Sequence, residues 1–194
     1  MTKSIDFYFD FVSPYSYLAY KKIKFLNKNF IIKINYKPIL LGGLHKLSKI
    51  TAPAFNERKL KNMKIDCELI AKKNKIEFKW NSKFPINSLY IMRGYLSINS
   101  KLKNKYLDIC FDAYWKDNID ISKNTNVNNI LHKCKIRESE FFDRIKNTKI
   151  KDKLKDLTNY AFEKDIFGAP TFVVNNKIFW GQDRLEYALD EYNS

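Results

Sequence analysis

Acidic residues are scarce in this chain: 21 aspartates and glutamates face 36 lysines and arginines over 194 residues, a formal net charge of +15. An excess of that size invites a nucleic-acid partner. Arginine, however, is nearly missing, with only Arg58, Arg93, Arg137, Arg144 and Arg184. Arginine makes the bidentate contacts to phosphate and base edges. No nucleic-acid motif is visible, and the lysines are spread among Asn and Ile, so the excess reads as a solvated surface. Cysteine is rare too. Cys67, Cys110 and Cys134 are odd in number and far apart, which argues against a disulfide framework and a zinc site. Each reads as a buried apolar residue or an idle thiol. The two histidines, His45 and His132, have no triad context and read as structural or surface residues. No apolar run approaches the length of a membrane span. A strand pattern begins almost at once, leaving no room for a signal peptide, so the cytoplasm is the expected location.

What the chain does contain is a large apolar fraction, 45% hydrophobic and 15% aromatic. That suffices for a substantial core in one domain, or one domain with an insertion. No internal repeat or low-complexity linker is seen. From Ser4 to Tyr20 the sequence reads SIDFYFDFVSPYSYLAY. Ile5, Phe7, Phe9 and Phe11 alternate with Asp6, Tyr8 and Asp10, which predicts a strand over 4–11. Tyr15, Leu18, Ala19, Ile23 and Leu26 recur at helical spacing and predict a helix over 14–28. Ser13 falls at the N-cap and Pro14 at the first helical position. The Ser13 hydroxyl thus sits at the positive end of a helix dipole beside unpaired N–H groups, a place for a phosphate, a carboxylate or a thiolate. On its own the pattern also fits an ordinary capped helix.

A strand at about 31–38 follows, then a break at Gly42-Gly43. Helical patterns dominate from about 45 to 157. They include a helix through Met63, Cys67, Leu69 and Ile70, another through Leu89, Met92, Tyr95 and Leu96, and a third through Tyr106, Ile109, Cys110, Ala113 and Tyr114. Polar helices follow at 126–133 and 138–145, then one through Leu154, Leu157, Tyr160 and Ala161 to Phe167. Residues 167–185, FGAPTFVVNNKIFWGQDRL, hold a Gly-x-Pro step and a strand at Thr171–Val174. An Asn175-Asn176 hairpin turn, a strand at Ile178–Trp180 and a helix over 182–192 come next. Pro170, just before a strand, is a candidate cis proline.

The junction at Ser13 resembles that of thioredoxin-like proteins, which place a Cys-x-x-Cys pair there. Both positions here are serine, Ser13 and Ser16. Disulfide exchange needs thiols, so the thiol would come from outside, with glutathione the obvious donor. In such folds the cis proline faces the first helix and presents the preceding residue, here Ala169, as a strand edge to a peptide ligand. Residues 6–19, 37–43 (KPILLGG), 84–94 (FPINSLYIMRG) and 167–185 together resemble the glutathione-dependent 2-hydroxychromene-2-carboxylate isomerases and the related kappa-class glutathione transferases. The segments follow the family's order over nearly the whole chain.

The resemblance implies an α/β fold with a thioredoxin-like (DsbA-like) core, residues 1–42 and 158–194. An all-helical insertion, residues 43–157, would interrupt it and roof the cleft. It implies glutathione as cofactor, and as activity the isomerisation of a conjugated aromatic acid through thiolate addition, bond rotation and loss of glutathione. Ser13 matches the catalytic serine, a thiolate stabiliser, with Pro14 and Tyr15 beside it. Ala169, ahead of Pro170, matches the residue that pairs with the cysteinyl part. Gln182 and Asp183 match those that hold the γ-glutamyl end, and Lys59 the lysine that meets the glycyl carboxylate. Asn87 and Arg93 lie in the segment lining the substrate cleft; a helix cap and a surface ion pair are their plainer roles. A homodimer is implied as well, and the basic surface would attract anionic glutathione. One position departs from the pattern, because Ile50 stands where the family has an Asn that binds glutathione. A kappa-like transferase or peroxidase acting on small electrophiles, a non-catalytic glutathione- or peptide-binding module, and a basic nucleic-acid binder remain as alternatives.

Overall fold

The computed structural model describes residues 3–27 and 32–194. The expected helix end at Lys28 and strand start at Ile31 lie outside the described residues. Strand β1 (Ile5–Phe9) and strand β2 (Ile34–Pro38) run parallel, joined through helix α1 (Pro14–Leu26). Strand β3 (Thr171–Val174) pairs antiparallel with β1, and strand β4 (Lys177–Trp180) antiparallel with β3, giving the order β2-β1-β3-β4. The β3–β4 turn is made by Asn175 and Asn176 with φ of 48° and 63°. Asn tolerates that left-handed backbone better than most residues do, as the sequence predicts.

The alternation in β1 partitions the core. Phe7 and Phe9 point to the face covered by α1, and the Phe7 ring stacks on Phe172 of β3 at 5.2 Å. Tyr8 points to the other face and packs with Ile39, Leu44, Ala161 and Ile166. Helices therefore cover both faces of the sheet. They are α2 (Leu41–Leu47), α3 (Glu57–Lys73), α4 (Leu89–Ser97), α5 (Lys103–Trp115), α6 (Asn124–Cys134), α7 (Glu138–Lys146), α8 (Thr148–Glu163) and α9 (Leu185–Asn193). The α5 side chains Phe111, Tyr114 and Trp115 are fully buried, and the Trp115 indole donates to the Phe11 carbonyl at 2.9 Å. No helix among the described residues is long and apolar enough to cross a membrane.

Several boundaries differ from the sequence expectation. Strand β1 stops at Phe9 because Asp10 turns the chain: its carboxylate accepts the Val12 N–H at 3.1 Å and its carbonyl the Ser13 N–H at 3.1 Å. Gly42-Gly43 is no break but lies inside α2. Outside bonds brace the start of that helix, with the Leu40 N–H donating to Thr158 Oγ1 at 3.0 Å and the Leu41 N–H to Asp10 Oδ2 at 2.8 Å. Helix α8 ends at Glu163, short of Phe167, where Asp165 takes a φ of 58°. Leu69 and Tyr160, expected on apolar faces, are exposed. The last helix opens with a 3-10 turn, Gln182–Arg184, before α9.

Candidate active site

Ser13 is the N-cap of α1, and Pro14 is its first residue. The N–H of Pro14 is missing where a helix needs none, so the cap falls to the serine side chain. Ser13 Oγ accepts the Ser16 N–H at 3.1 Å and donates to the Ala169 carbonyl at 2.9 Å. The second bond spans 156 residues. It ties the start of α1 to the Ala169-Pro170 peptide, which is cis, as is Phe84-Pro85, which was not anticipated. Ser13 is nearly buried, and Ser16 Oγ is fully buried with no hydrogen-bond partner. Two serine hydroxyls therefore stand where a disulfide exchanger needs two thiols, and one of them is unsatisfied.

The C-terminal segment is anchored to the same place. The Gly181 N–H donates to the Pro170 carbonyl at 3.0 Å, which carries Gln182 and Asp183 to the Pro170 loop. Gly181 has φ +118°, and a Cβ there would lie 2.5 Å from Asp183 Oδ1. Only glycine suits both the backbone and the space. The Gln182 carboxamide oxygen accepts from Lys22 Nζ on α1 at 2.6 Å, fastening this segment to the first helix. Burial pushes the Lys22 ammonium down, while Glu186 and Asp183 pull it back up. The Asp183 carboxylate is exposed and lies 3.3 Å from the Arg184 guanidinium.

Beneath Ser13 lies a carboxylate that the motif reading did not single out. Asp10 is fully buried and holds the turn that presents Ser13, through Val12, and the start of α2, through Leu41. Burial raises its pKa, and the Leu41 N–H, the Ser88 hydroxyl and the Val12 N–H work against that rise. A strand pattern treats Asp10 as one more alternating polar residue. The available signal was the Asp-x-x-Ser-Pro spacing, which suits an Asx-type turn just before a helix.

The remaining expected residues are distributed more widely. The Tyr15 hydroxyl donates to Asp66 Oδ2 on α3 at 2.7 Å, and burial followed by this carboxylate raises its pKa. Lys59 is exposed in the first turn of α3, where its N–H donates to Asn56 Oδ1 at 3.1 Å. It lies seven residues, about two turns, before Asp66, on the same helix face. Asn87 Oδ1 accepts the Leu89 N–H at 3.0 Å and so works at the start of α4. Arg93 lies on the wall of a cavity of about 360 Å³ between α2, α4 and α8, whose lining does not include Ser13. Its Nε is buried without a partner. Ile50 is exposed in the loop after α2, its N–H donating to the His45 carbonyl at 2.9 Å. Cys67, Cys110 and Cys134 are free and buried, and burial raises all three thiols. None offers a thiolate near neutral pH.

The family model described as DSBA-like thioredoxin domain matches residues 4–193, and the chain belongs to that family. It is 26% identical over 194 residues to a 2-hydroxychromene-2-carboxylate isomerase of Sphingobium xenophagum, covering 99% of this chain and 98% of that protein. It is 23% identical over 201 residues to Glutathione S-transferase kappa 1 of Homo sapiens, covering 96% and 89%. A solved 2-hydroxychromene-2-carboxylate isomerase superposes with a TM-score of 0.89 at 24% identity, over 97% of this chain and 94% of that one. The resemblance found in the sequence motifs therefore extends along the chain, and the thioredoxin-like core with its helices is the fold.

Proposed function

We propose that this protein is a glutathione-dependent isomerase of the 2-hydroxychromene-2-carboxylate type, with Ser13 as the residue that stabilises the thiolate. The observation that carries this reading is the Ser13 hydroxyl at the N-terminus of α1, bonded across the site to the Ala169 carbonyl at 2.9 Å. Glutathione, when bound, supplies the thiolate that adds reversibly to a conjugated acid. The residues fit such a ligand. Ser16 Oγ is a buried hydroxyl lacking a partner, and the first N–H groups of α1 have no intrahelical acceptor. The Ala169 backbone beside Pro170 is an edge for a cysteinyl residue, which would displace the Ser13 hydroxyl from its carbonyl. Asp183 is an exposed carboxylate suited to an ammonium, and Lys59 an exposed cation suited to a carboxylate.

The chain's own part is electrostatic. A thiol near pKa ~8.5 is mostly protonated at neutral pH. A helix N-terminus and one hydroxyl donor each favour the anion by roughly 0.3–2 kcal/mol, together about one pKa unit. Ser13 donates one hydrogen bond, now to Ala169. Once a ligand's peptide takes the Ala169 edge, that hydroxyl turns to the sulfur. Asp10 holds the turn in place, and Lys22 and Gln182 hold the γ-glutamyl subsite against α1. The enzyme acts in the cytoplasm as a homodimer.

A kappa-like transferase is the second reading, favoured by the kappa-class relative and by the use of the same thiolate site. Assay of the purified protein with glutathione and a hydroxychromene carboxylate, followed by ultraviolet absorbance, tests the proposal. Interconversion that requires glutathione and consumes none supports isomerisation. Consumption of glutathione with an electrophile and no isomerisation turns the assignment to the transferase.

A further inference from the structure

We infer that the cavity between α2, α4 and α8 is a binding site for a medium-chain aliphatic carboxylate. This inference rests on the cavity's lining and stands apart from the glutathione reading. The walls are Leu40, Gly43 and Leu47 of the α2 segment, Leu89 of α4, and Leu154 of α8, around a volume of about 360 Å³. That is within the usual range of small-molecule sites. The apolar lining is aliphatic, with no aromatic ring, so it suits a flexible methylene chain rather than a stacked plane. Thr158 in the lining has its hydroxyl fully engaged, accepting from the Leu40 N–H at 3.0 Å and donating to the Leu154 carbonyl at 2.8 Å.

Polar recognition falls instead to Asn159 and to four cations in the lining, Lys46, Arg93, Lys151 and Lys155, with no acidic residue in that lining. Among the described residues none of the four is in an ion pair. Arg93 adds a second, independent sign, since its Nε is buried and unpartnered. A buried guanidinium nitrogen without an acceptor is costly to leave so, and a carboxylate satisfies it. An apolar tail on the leucines and an anionic head at Arg93 meet both features at once.

Calorimetric titration of the whole protein with octanoate tests this, with hexanoate and octanamide as controls. The expected result is octanoate binding below about 1 mM, weakened about fourfold for each methylene removed. Octanamide and the Arg93→Gln variant should each bind about tenfold more weakly. Gly43→Leu intrudes on the cavity and should weaken binding by about tenfold or more; the site tolerates a Cβ there, with Thr158 Cγ2 at 3.6 Å and Leu40 Cβ at 3.7 Å. Lys151→Gln, on an exposed position, replaces it if that variant does not fold. Ser13→Ala should leave octanoate binding unchanged. Equal affinity for acid and amide, affinity independent of chain length, or unchanged binding in Arg93→Gln overturns the inference. Loss of octanoate binding in Ser13→Ala would place the acid at the Ser13 site and overturn it as well.

Discussion

The two sides of the Ser13 site are built differently. The Asp10–Ser16 side is buried, and its backbone is fixed by the Asp10 turn and the Ser13 cap. The Gly181–Asp183 side hangs on the Gly181–Pro170 and Lys22–Gln182 hydrogen bonds and ends in an exposed carboxylate. Burial gives a fixed dipole its strength, because little water screens it. Exposure suits a group that must meet a ligand arriving from solvent. Under the proposed function, the contrast puts the chemistry on the first side and ligand recognition on the second.

The sharpest way to break that division is at Ser13. Ser13→Ala should lower turnover by about 10- to 1,000-fold, the range for losing one charge-stabilising donor, while glutathione affinity changes little. It also removes the α1 cap, at about 1 kcal/mol of stability. Steady-state kinetics with a parallel thermal melt checks both parts, and unchanged turnover takes Ser13 out of the chemistry. On the opposite side Asp183→Ala should weaken glutathione binding by roughly 1–3 kcal/mol with turnover at saturation preserved. A calorimetric titration equal to wild type would end its assignment.

Two smaller effects sharpen the comparison. Gly181→Ala forces a Cβ into a φ of +118° and against Asp183, costing about 1–3 kcal/mol. Urea unfolding should show that loss together with weaker glutathione binding. Asp10→Asn leaves one of the Val12 and Leu41 N–H groups without its acceptor, at about 1–3 kcal/mol. The sign of its pH dependence follows from burial. The folded pKa of Asp10 is raised, so the folded state holds that proton more tightly than the unfolded chain. Its contribution to stability is full below the ordinary carboxylate range and is lost as pH rises through the folded value. Urea midpoints measured from acid to neutral pH should lose this downward component in Asp10→Asn. An unchanged slope would show that Asp10 is not the group responsible.

The parts of this site that were legible in sequence rest on local rules. Ser-Pro at a strand end implies a cap and a helix start, Asn-Asn a tight turn, and Gly-x-Pro before a strand a cis candidate. All three are present. What escaped depends on long-range contacts. Asp10 is defined by Leu41, 31 residues away. Gly42-Gly43 looks like a helix breaker until Asp10 and Thr158 brace the start of α2 from outside. The cavity at Arg93 needs three helices distant in sequence, so the local pattern could suggest a cleft residue but not its neighbours. Lys59 was named from the family pattern, and its place on the α3 face of Asp66 emerges only once Tyr15 docks that helix on α1.

The thiol pKa of glutathione bound to the wild-type protein and to Ser13→Ala tests the central claim most directly, read from thiolate absorbance against pH. The account predicts a value about one unit below the free thiol's ~8.5 in the wild type, moved back toward the free value when the hydroxyl is removed. An unshifted thiol in the wild type, or an equal shift in both proteins, would contradict it.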